Sequence, residues 1–248
     1  MRILVIGDSG IDKFIYGGVN RICPEAPVPV FNPIYQNENP GMAANVAENV
    51  RSLGNDVVLN CNTNIIVKTR YVDKKSNQML LRVDENDIAE PLTNISKYTI
   101  EFLSQYDAII ISDYDKGFIS KGDIEKISSN HRLVFMDTKK LLGNWASKCT
   151  FIKLNEHEYN KNKQFINNNL DIFNNKIIIT LGEEGCKYKN EVYSVEKLIE
   201  VKDVSGAGDT FISAFASEYL KTKNIKESKG FAQKCSSFVV SKKGVVTV

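Results

Sequence analysis

Histidine is nearly absent from this 248-residue chain, which has only His131 and His157. The five cysteines (Cys23, Cys61, Cys149, Cys186, Cys235) are scattered, odd in number and without a CxxC pair. A zinc site is therefore not expected, and free thiols in a reducing cytoplasm are. No apolar run approaches the roughly 20 residues that a membrane helix needs. The start, Met-Arg-Ile-Leu-Val-Ile-Gly-Asp, enters a strand pattern directly, without the apolar region and small-residue cleavage site of a signal peptide. A cytoplasmic protein is the expectation. Excess charge is missing too: a formal net charge of +2 provides no basic field for nucleic acid or an anionic membrane. Asparagine is abundant, notably at 167–169, which reads as compositional bias. Hydrophobic content of 42% and charged content of 25% are those of an ordinary globular chain. The length suits one large α/β domain or two small ones.

What is present centres on Asp203-Val-Ser-Gly-Ala-Gly-Asp-Thr-Phe211. A strand-like lead (Leu198, Ile199, Val201) precedes it, and a helical pattern follows, with Phe211, Ile212, Phe215, Tyr219 and Leu220 recurring at three and four residues. Ser205, Gly206, Ala207 and Gly208 allow a tight turn whose backbone N–H groups can approach a ligand closely. At a helix N-terminus those unpaired donors, together with the helix dipole, favour an anion. Asp209 adds a carboxylate inside that electropositive mouth. An acid beside an anion hole is apparatus for activating a hydroxyl toward a phosphoryl group. The plainer reading is a glycine-rich turn followed by an early-helix charge.

Earlier in the chain, residues 3–6 form an apolar run ending in Gly7-Asp8, the pattern of a buried parallel strand feeding a loop. Such loops carry ligands in open α/β sheets, so Asp8 and Asp12 are candidates for ligand hydroxyls. A turn aspartate is the better reading of Asp8 and the poorer one of Asp12. Three prolines at 24, 27 and 29 forbid a helix, and Val28, Val30 and Ile34 suggest an edge strand. Arg21 suits a substrate phosphate or plain surface solvation. Residues 40–54 read as a loop, a helix and a Gly54 cap. Ala43, Val46, Ala47, Val50 and Leu53 form a narrow stripe of small residues for close packing, and Asn45 falls in the first turn, where its amide would reach a ligand hydroxyl.

Segments 65–72 and 78–84 flank a turn-rich 73–77 and read as a β-hairpin. Residues 93–103 have helical spacing, and 108–111 form a buried strand. Residues 134–139 are a strand followed by Asp137 and Lys139 at the ligand edge; Lys139 would neutralise a phosphate or simply face solvent. Asn155 and Glu158 stand three apart at a helix start, the spacing of a capping box. Residues 177–180 are another buried strand. Strands alternating with helical stretches argue a three-layer α/β/α sandwich with a mostly parallel sheet.

The 203–211 segment resembles the C-terminal signature of the PfkB, or ribokinase-like, family of sugar and nucleoside kinases. The resemblance implies Asp209 as catalytic base and Gly206, Ala207 and Gly208 as the anion hole. Three further stretches are similar to one branch, the D-glycero-β-D-manno-heptose 7-phosphate kinases. These are Gly-Asp-x-x-x-Asp, Arg-Ile-x-Pro-Glu-Ala-Pro-Val-Pro-Val and Pro-Gly-x-Ala-Ala-Asn-Val-Ala. Gly41 and Asn45 thereby fall on the sugar side. Ser112-Asp-Tyr-Asp-Lys-Gly117 resembles a loop of the same branch, implying Asp113 and Lys116 as substrate residues.

The family also implies that Asn155 and Glu158 organise Mg²⁺ through water, and that Thr180 and Gly182 lie against ATP. A last helix at about 227–240 would wall the adenine with Ala232, Gln233 and Ser236. Lys139 joins the nucleotide set, and a monovalent-cation requirement stays open. The expected layout is one kinase domain over 1–248. The proline segment and hairpin, about 14–36 and 65–84, would form a small β lid that also clasps a second subunit as a homodimer.

Three departures stand out. Met42 replaces a glycine usual in the branch. Gln233 stands where an asparagine is common. There is also no room after Leu59 for the helix and strands the family usually has. The expectation is a kinase domain alone, without the nucleotidyltransferase domain of bifunctional heptose enzymes. The implied reaction is phosphorylation of the anomeric hydroxyl of a heptose 7-phosphate. Alternatives are another sugar phosphate or nucleoside as acceptor, and a sugar- or nucleotide-binding regulator without catalysis.

Overall fold

Strands covered on both faces have no side that can be polar, and the chain meets that demand with runs of isoleucine, leucine and valine. A computed structural model describes residues 1–189, 191–194, 201–242 and 244–248. The chain opens with β1 (Arg2–Gly7), β2 (Ser9–Ile22) and β3 (Pro29–Met42), then α1 (Ala43–Ser52) and β4 (Asp56–Cys61). β5 (Ile66–Asp73) and β6 (Met79–Glu85) precede α2 (Ile100–Leu103), β7 (Ala108–Asp113), α3 (Lys121–Ser129) and β8 (Val134–Thr138). β9 (Phe151–Asn155), α4 (Glu156–Asn168), α5 (Leu170–Phe173) and β10 (Ile177–Thr180) follow. β11 (Cys186–Tyr188), β12 (Glu191–Tyr193), α6 (Ala207–Thr222) and α7 (Ile225–Val240) complete the described elements.

The large sheet has the order β12-β11-β10-β9-β8-β7-β1-β4, parallel from β10 to β4 and antiparallel at β11 and β12. Successive side chains alternate between its faces. Ile109, Ile111, Met136, Ile152 and Leu154 pack toward Leu103, Ile124, Ile127, Ile166 and Phe173 on one side. Ile3, Val5, Ile110, Phe135 and Phe151 pack toward Val46, Val50, Phe211, Phe215 and Ala232 on the other. Helices therefore cover both faces, as the alternating pattern predicts, and the small side chains of α1 bring that helix close to α6 and the sheet.

A second sheet has the order β3-β2-β5-β6, with the proline-bearing β3 at its edge. β5 and β6 pair antiparallel as the predicted hairpin. Several boundaries differ from the sequence reading. No loop follows Asp8, because β2 starts at Ser9 and is paired on both sides, by β3 and β5. Residues 40–42 likewise belong to β3 rather than to a loop, so these strands extend beyond the expected 14–36. The helix expected over 93–103 is only a 3₁₀ turn at Ile95–Lys97 and the single turn of α2. The Thr99 hydroxyl accepts the Phe102 N–H at 3.2 Å and starts a new helix in mid-pattern. Only 62–65 join β4 to β5. The predicted strand lead at Leu198 and Ile199 lies outside the described residues.

Phe215, 2% exposed, packs against Phe135, Phe151, Phe211 and Tyr219 with ring centroids 5.1–6.4 Å away. Phe215→Ala leaves a cavity where α6 meets the sheet and is expected to cost about 3–5 kcal/mol. Urea unfolding at constant m-value measures this, and a loss below about 1 kcal/mol would show that α6 is not anchored there.

Candidate active site

The parallel strands end along one edge of the large sheet, and their register lines up the polar residues. Gly7 stands opposite Ser112, Ser112 opposite Asp137, Asp137 opposite Lys153, and Thr180 opposite Asn155. Asp8, fully buried, accepts the backbone N–H groups of Tyr114 (2.7 Å), Lys116 (3.2 Å) and Phe118 (3.1 Å). It is the turn aspartate that shapes the 114–118 loop. Asn155 and Glu158 form a reciprocal capping box at the start of α4, both bonds 2.8 Å.

α6 points its N-terminus at this edge. Gly206 precedes it at φ 78°, where a Cβ would lie 2.8 Å from Asn45 Nδ2. A side chain there would be strained and would strike the amide that holds Asp209. That amide donates to Asp209 Oδ2 at 2.9 Å, and the Tyr114 hydroxyl donates to Oδ1 at 2.7 Å. Asn45 is itself fixed, because Asn49 Nδ2 donates to its Oδ1 at 3.1 Å. Asp209 is 4% exposed, and burial pushes its pKa from the ordinary 3.8 up to about 6, against the opposing pull of Asn45 and Tyr114. It is a carboxylate poised near neutrality.

Two cavities meet at this helix start. One, of about 340 Å³, is lined by Asp12, Met42, Lys68, Arg70, Arg82, Tyr114, Lys116, Lys139, Ser205, Gly206 and Asp209. The other, of about 220 Å³, is mostly apolar and includes Thr180, Gly182, Gly185, Ala207, Gly208, Phe211, Gln233 and Ser236. Gly206 and Asp209 thus face the first, Ala207 and Gly208 the second.

The predicted residues divide between them with one exception: Lys139, expected in the nucleotide set, lines the first cavity. Asp12 and Lys116 line the first cavity, paired with Arg70 and Asp87 respectively. Lys139 lines it as well, with its ammonium on Glu158 and 3.9 Å from Asp137. Burial works against that charge, yet Asp137 and Glu158 together hold the Lys139 pKa above its ordinary value. Thr180, Gly182 and Gln233 line the second cavity, and Gln233 donates to the Tyr193 carbonyl.

Six others line neither cavity: Asn155 and Glu158 of the capping box, and four more. Arg21 is exposed near the far end of β2, away from both cavities. Asp113, 1% exposed, is taken up by Thr138 and by Lys140 at 2.5 Å. Asn45 reaches Asp209 behind the cavity wall. Gly41 makes room for Asp12, whose Oδ2 would lie 2.5 Å from a Cβ at that position.

For a divalent cation the donors are sparse. Among the described residues no group of three or more His, Cys, Asp or Glu side chains could hold a metal. Both Glu158 oxygens are engaged, whereas Asp137 Oδ1 is buried without a hydrogen-bond partner. A single carboxylate oxygen without a hydrogen bond fits magnesium, which keeps most of its waters and takes few ligands from a protein.

The profile of the pfkB family carbohydrate kinases matches residues 55–248. The chain belongs to this family. Bifunctional protein HldE of a Nitratiruptor species is 31% identical over 292 aligned positions, covering 99% of this chain and 63% of that protein. The chain thus spans a little under two-thirds of that relative's length. The aligned length exceeds the 248 residues here, so the relative carries internal segments that this pfkB-family chain lacks. A ribokinase from Thermotoga maritima superposes with TM-score 0.72 at 19% identity, covering 98% of this chain and 94% of that one. Arabidopsis thaliana ribokinase, solved with ribose and ATP, superposes with TM-score 0.70 at 14% identity, covering 98% and 93%. These structures establish the ribokinase-like fold of this family member.

Several site residues of this pfkB-family chain escape a sequence reading. Tyr114 lies inside the quoted Ser-Asp-Tyr loop, but nothing local aims its hydroxyl at Asp209. Asn49 is one helical turn from Asn45 and looks like a surface polar residue until α6 covers it. Lys68 and Arg70 alternate along β5, with Arg82 paired opposite Arg70. That period-two basic face is the signal available in sequence.

Asp209 stays ionised only at a cost to folding. Its folded pKa lies above the unfolded value, so the penalty is full above about pH 6 and gone below about pH 4. Asp209→Asn is therefore expected to raise the unfolding midpoint at pH 8, with the gap closing toward pH 4. A mutant that is less stable at pH 8 would contradict the burial argument.

Proposed function

We propose that the chain transfers the γ-phosphoryl group of ATP to the anomeric hydroxyl of D-glycero-D-manno-heptose 7-phosphate, giving the 1,7-bisphosphate. The observation that carries this reading is one helix start shared by two cavities, with a buried carboxylate of raised pKa facing one of them and the Ala207-Gly208 start of α6 facing the other. ATP occupies the apolar cavity beside Thr180, Gly182 and Gln233. The acceptor occupies the charged cavity. Asp209 takes the proton of the attacking hydroxyl as the new P–O bond forms and the bond to ADP breaks. The N–H group of Gly208, that of Ala207 once released from the Val204 carbonyl 3.3 Å away, and Lys139 balance charge on the transferring group. Magnesium, held by the ATP phosphates with Asp137 and through water by Glu158, would supply further neutralisation.

The heptose acceptor is supported by the proline segment and the Ser-Asp-Tyr loop, and by the whole-chain likeness to a protein named HldE. The four-stranded sheet acts as a lid, excluding water that would compete as acceptor. Its outward apolar residues Ile34, Met79, Leu81 and Val83 suit a homodimer through that sheet.

Asp209→Asn is expected to cut turnover by at least about a hundredfold, read as ADP release with Mg-ATP and the heptose 7-phosphate. Near-normal turnover would remove Asp209 as base. Ribose, fructose 6-phosphate and adenosine run alongside; release with one of these instead keeps the mechanism and moves the acceptor. The acid limb of kcat/KM is expected near pH 6, following the Asp209 value. A limb below about pH 4.5 would mean that the base of the free enzyme is not the buried Asp209 carboxylate.

A further inference from the structure

Charge pairing singles out one side chain of the acceptor cavity. Arg70 pairs with Asp12, Arg82 with Asp84 at 2.6 Å, Lys116 with Asp87 and Lys139 with Glu158. Lys68 lines the same cavity at 7% exposure, and among the described residues it makes no ion pair. Its ammonium lies 2.9 Å from Met42 Sδ and 4.9 Å from the centre of the Tyr114 ring. A thioether is a weak acceptor and a ring face offsets only part of a buried charge. A desolvated ammonium without a counter-ion is costly, and burial pushes the Lys68 pKa below its ordinary value.

Met42 is unusual in its own right. It sits at φ 57°, ψ −129°, a backbone conformation that side-chain-bearing residues rarely adopt, and it is 3% exposed. Strain of this kind persists where the surroundings over-determine it, commonly at a ligand site. Here it places a sulfur against the ammonium of Lys68. Together the five cationic lining side chains outnumber the two carboxylates, Asp12 and Asp209. After pairing among the described residues, what remains is one cation without a carboxylate and the buried base. A neutral sugar would need only the base, whereas a sugar carrying a phosphate needs both.

We propose that Lys68 is the anion-reading residue of the acceptor cavity. Its ammonium takes the phosphate of a phosphorylated sugar, at the end remote from the hydroxyl presented to Asp209, and the Met42 sulfur is its resting contact. This deepens the kinase reading above and assigns to Lys68 the task that the sequence suggested for Arg21. Arg82 and Lys116 stand in the same cavity and add to the field without giving up their own carboxylates.

The test uses the full chain and inorganic phosphate as the probe, titrated calorimetrically into protein saturated with ADP so that the nucleotide cavity is covered. Lys68→Met is expected to weaken phosphate binding about 10- to 100-fold, the scale of one charged hydrogen bond. Arg21→Met is expected to change it less than about threefold. Lys68→Gln serves if the methionine variant fails to fold. In turnover assays the KM for the 7-phosphate should rise by a similar factor in the Lys68 variant, while the KM for the same heptose without phosphate stays within about threefold. Unchanged phosphate affinity in a folded Lys68 variant overturns the proposal, as does an equal rise in KM for both sugars. Loss of phosphate binding supports it even if the wild type turns over no heptose, an outcome that would count against the acceptor assignment alone.

Discussion

A carboxylate buried at a helix start is the constraint on which the rest of this molecule depends. Asp209 needs donors, because a buried charge without them would neutralise itself or unfold the site. The two donors come from distant parts of the chain, Asn45 on α1 and Tyr114 in the loop after β7. Each is positioned by something further out. Asn49 orients Asn45, and α1 can approach α6 only because the apolar part of its buried face is alanine and valine. Asp8 gathers three backbone N–H groups and so sets the path of the loop that carries Tyr114. The sheet register then determines how far apart these supports stand.

The same edge carries a chain of alternating charge: Lys153 on Asp137 at 2.8 Å, then Lys139 near Asp137 and on Glu158, which caps α4. Every member but one oxygen of Asp137 is hydrogen-bonded. Such a network is rigid when satisfied, and it holds the ends of β8 and β9 and the start of α4 in register. The apolar cavity beyond it suits a flat ring, and the charged cavity on the other side suits a polar acceptor. The proposed phosphoryl transfer needs both environments within one helical turn of each other.

Much of the architecture was legible locally. Runs such as Ala-Ile-Ile-Ile at 108–111 read as buried strands, the hairpin at 66–85 declares itself by its turn-rich centre, and the Gly-Ala-Gly-Asp segment marks a helix start built for an anion. Less legible were places where pairing overrides local chemistry. Ser9 to Asp12 looked like a ligand loop, yet two neighbouring strands claim its backbone. The 93–103 pattern looked like one helix, yet a single threonine cap divides it. Arg21 looked like a phosphate ligand, yet the length of β2 carries it out of reach.

What the sequence determined by itself is the set of parts: buried strands, an acid behind a glycine turn, a β-hairpin, and membership of a kinase family. Those features are local, because hydrophobic period and turn chemistry act over a few residues. The tertiary structure decided which polar groups meet. Asn45 holds Asp209, Asp113 is consumed by Thr138 and Lys140, and Lys68 meets a sulfur instead of a carboxylate. Pairing among polar groups depends on distances across elements that can stand more than a hundred residues apart in the chain, and only the packed sheets set those distances.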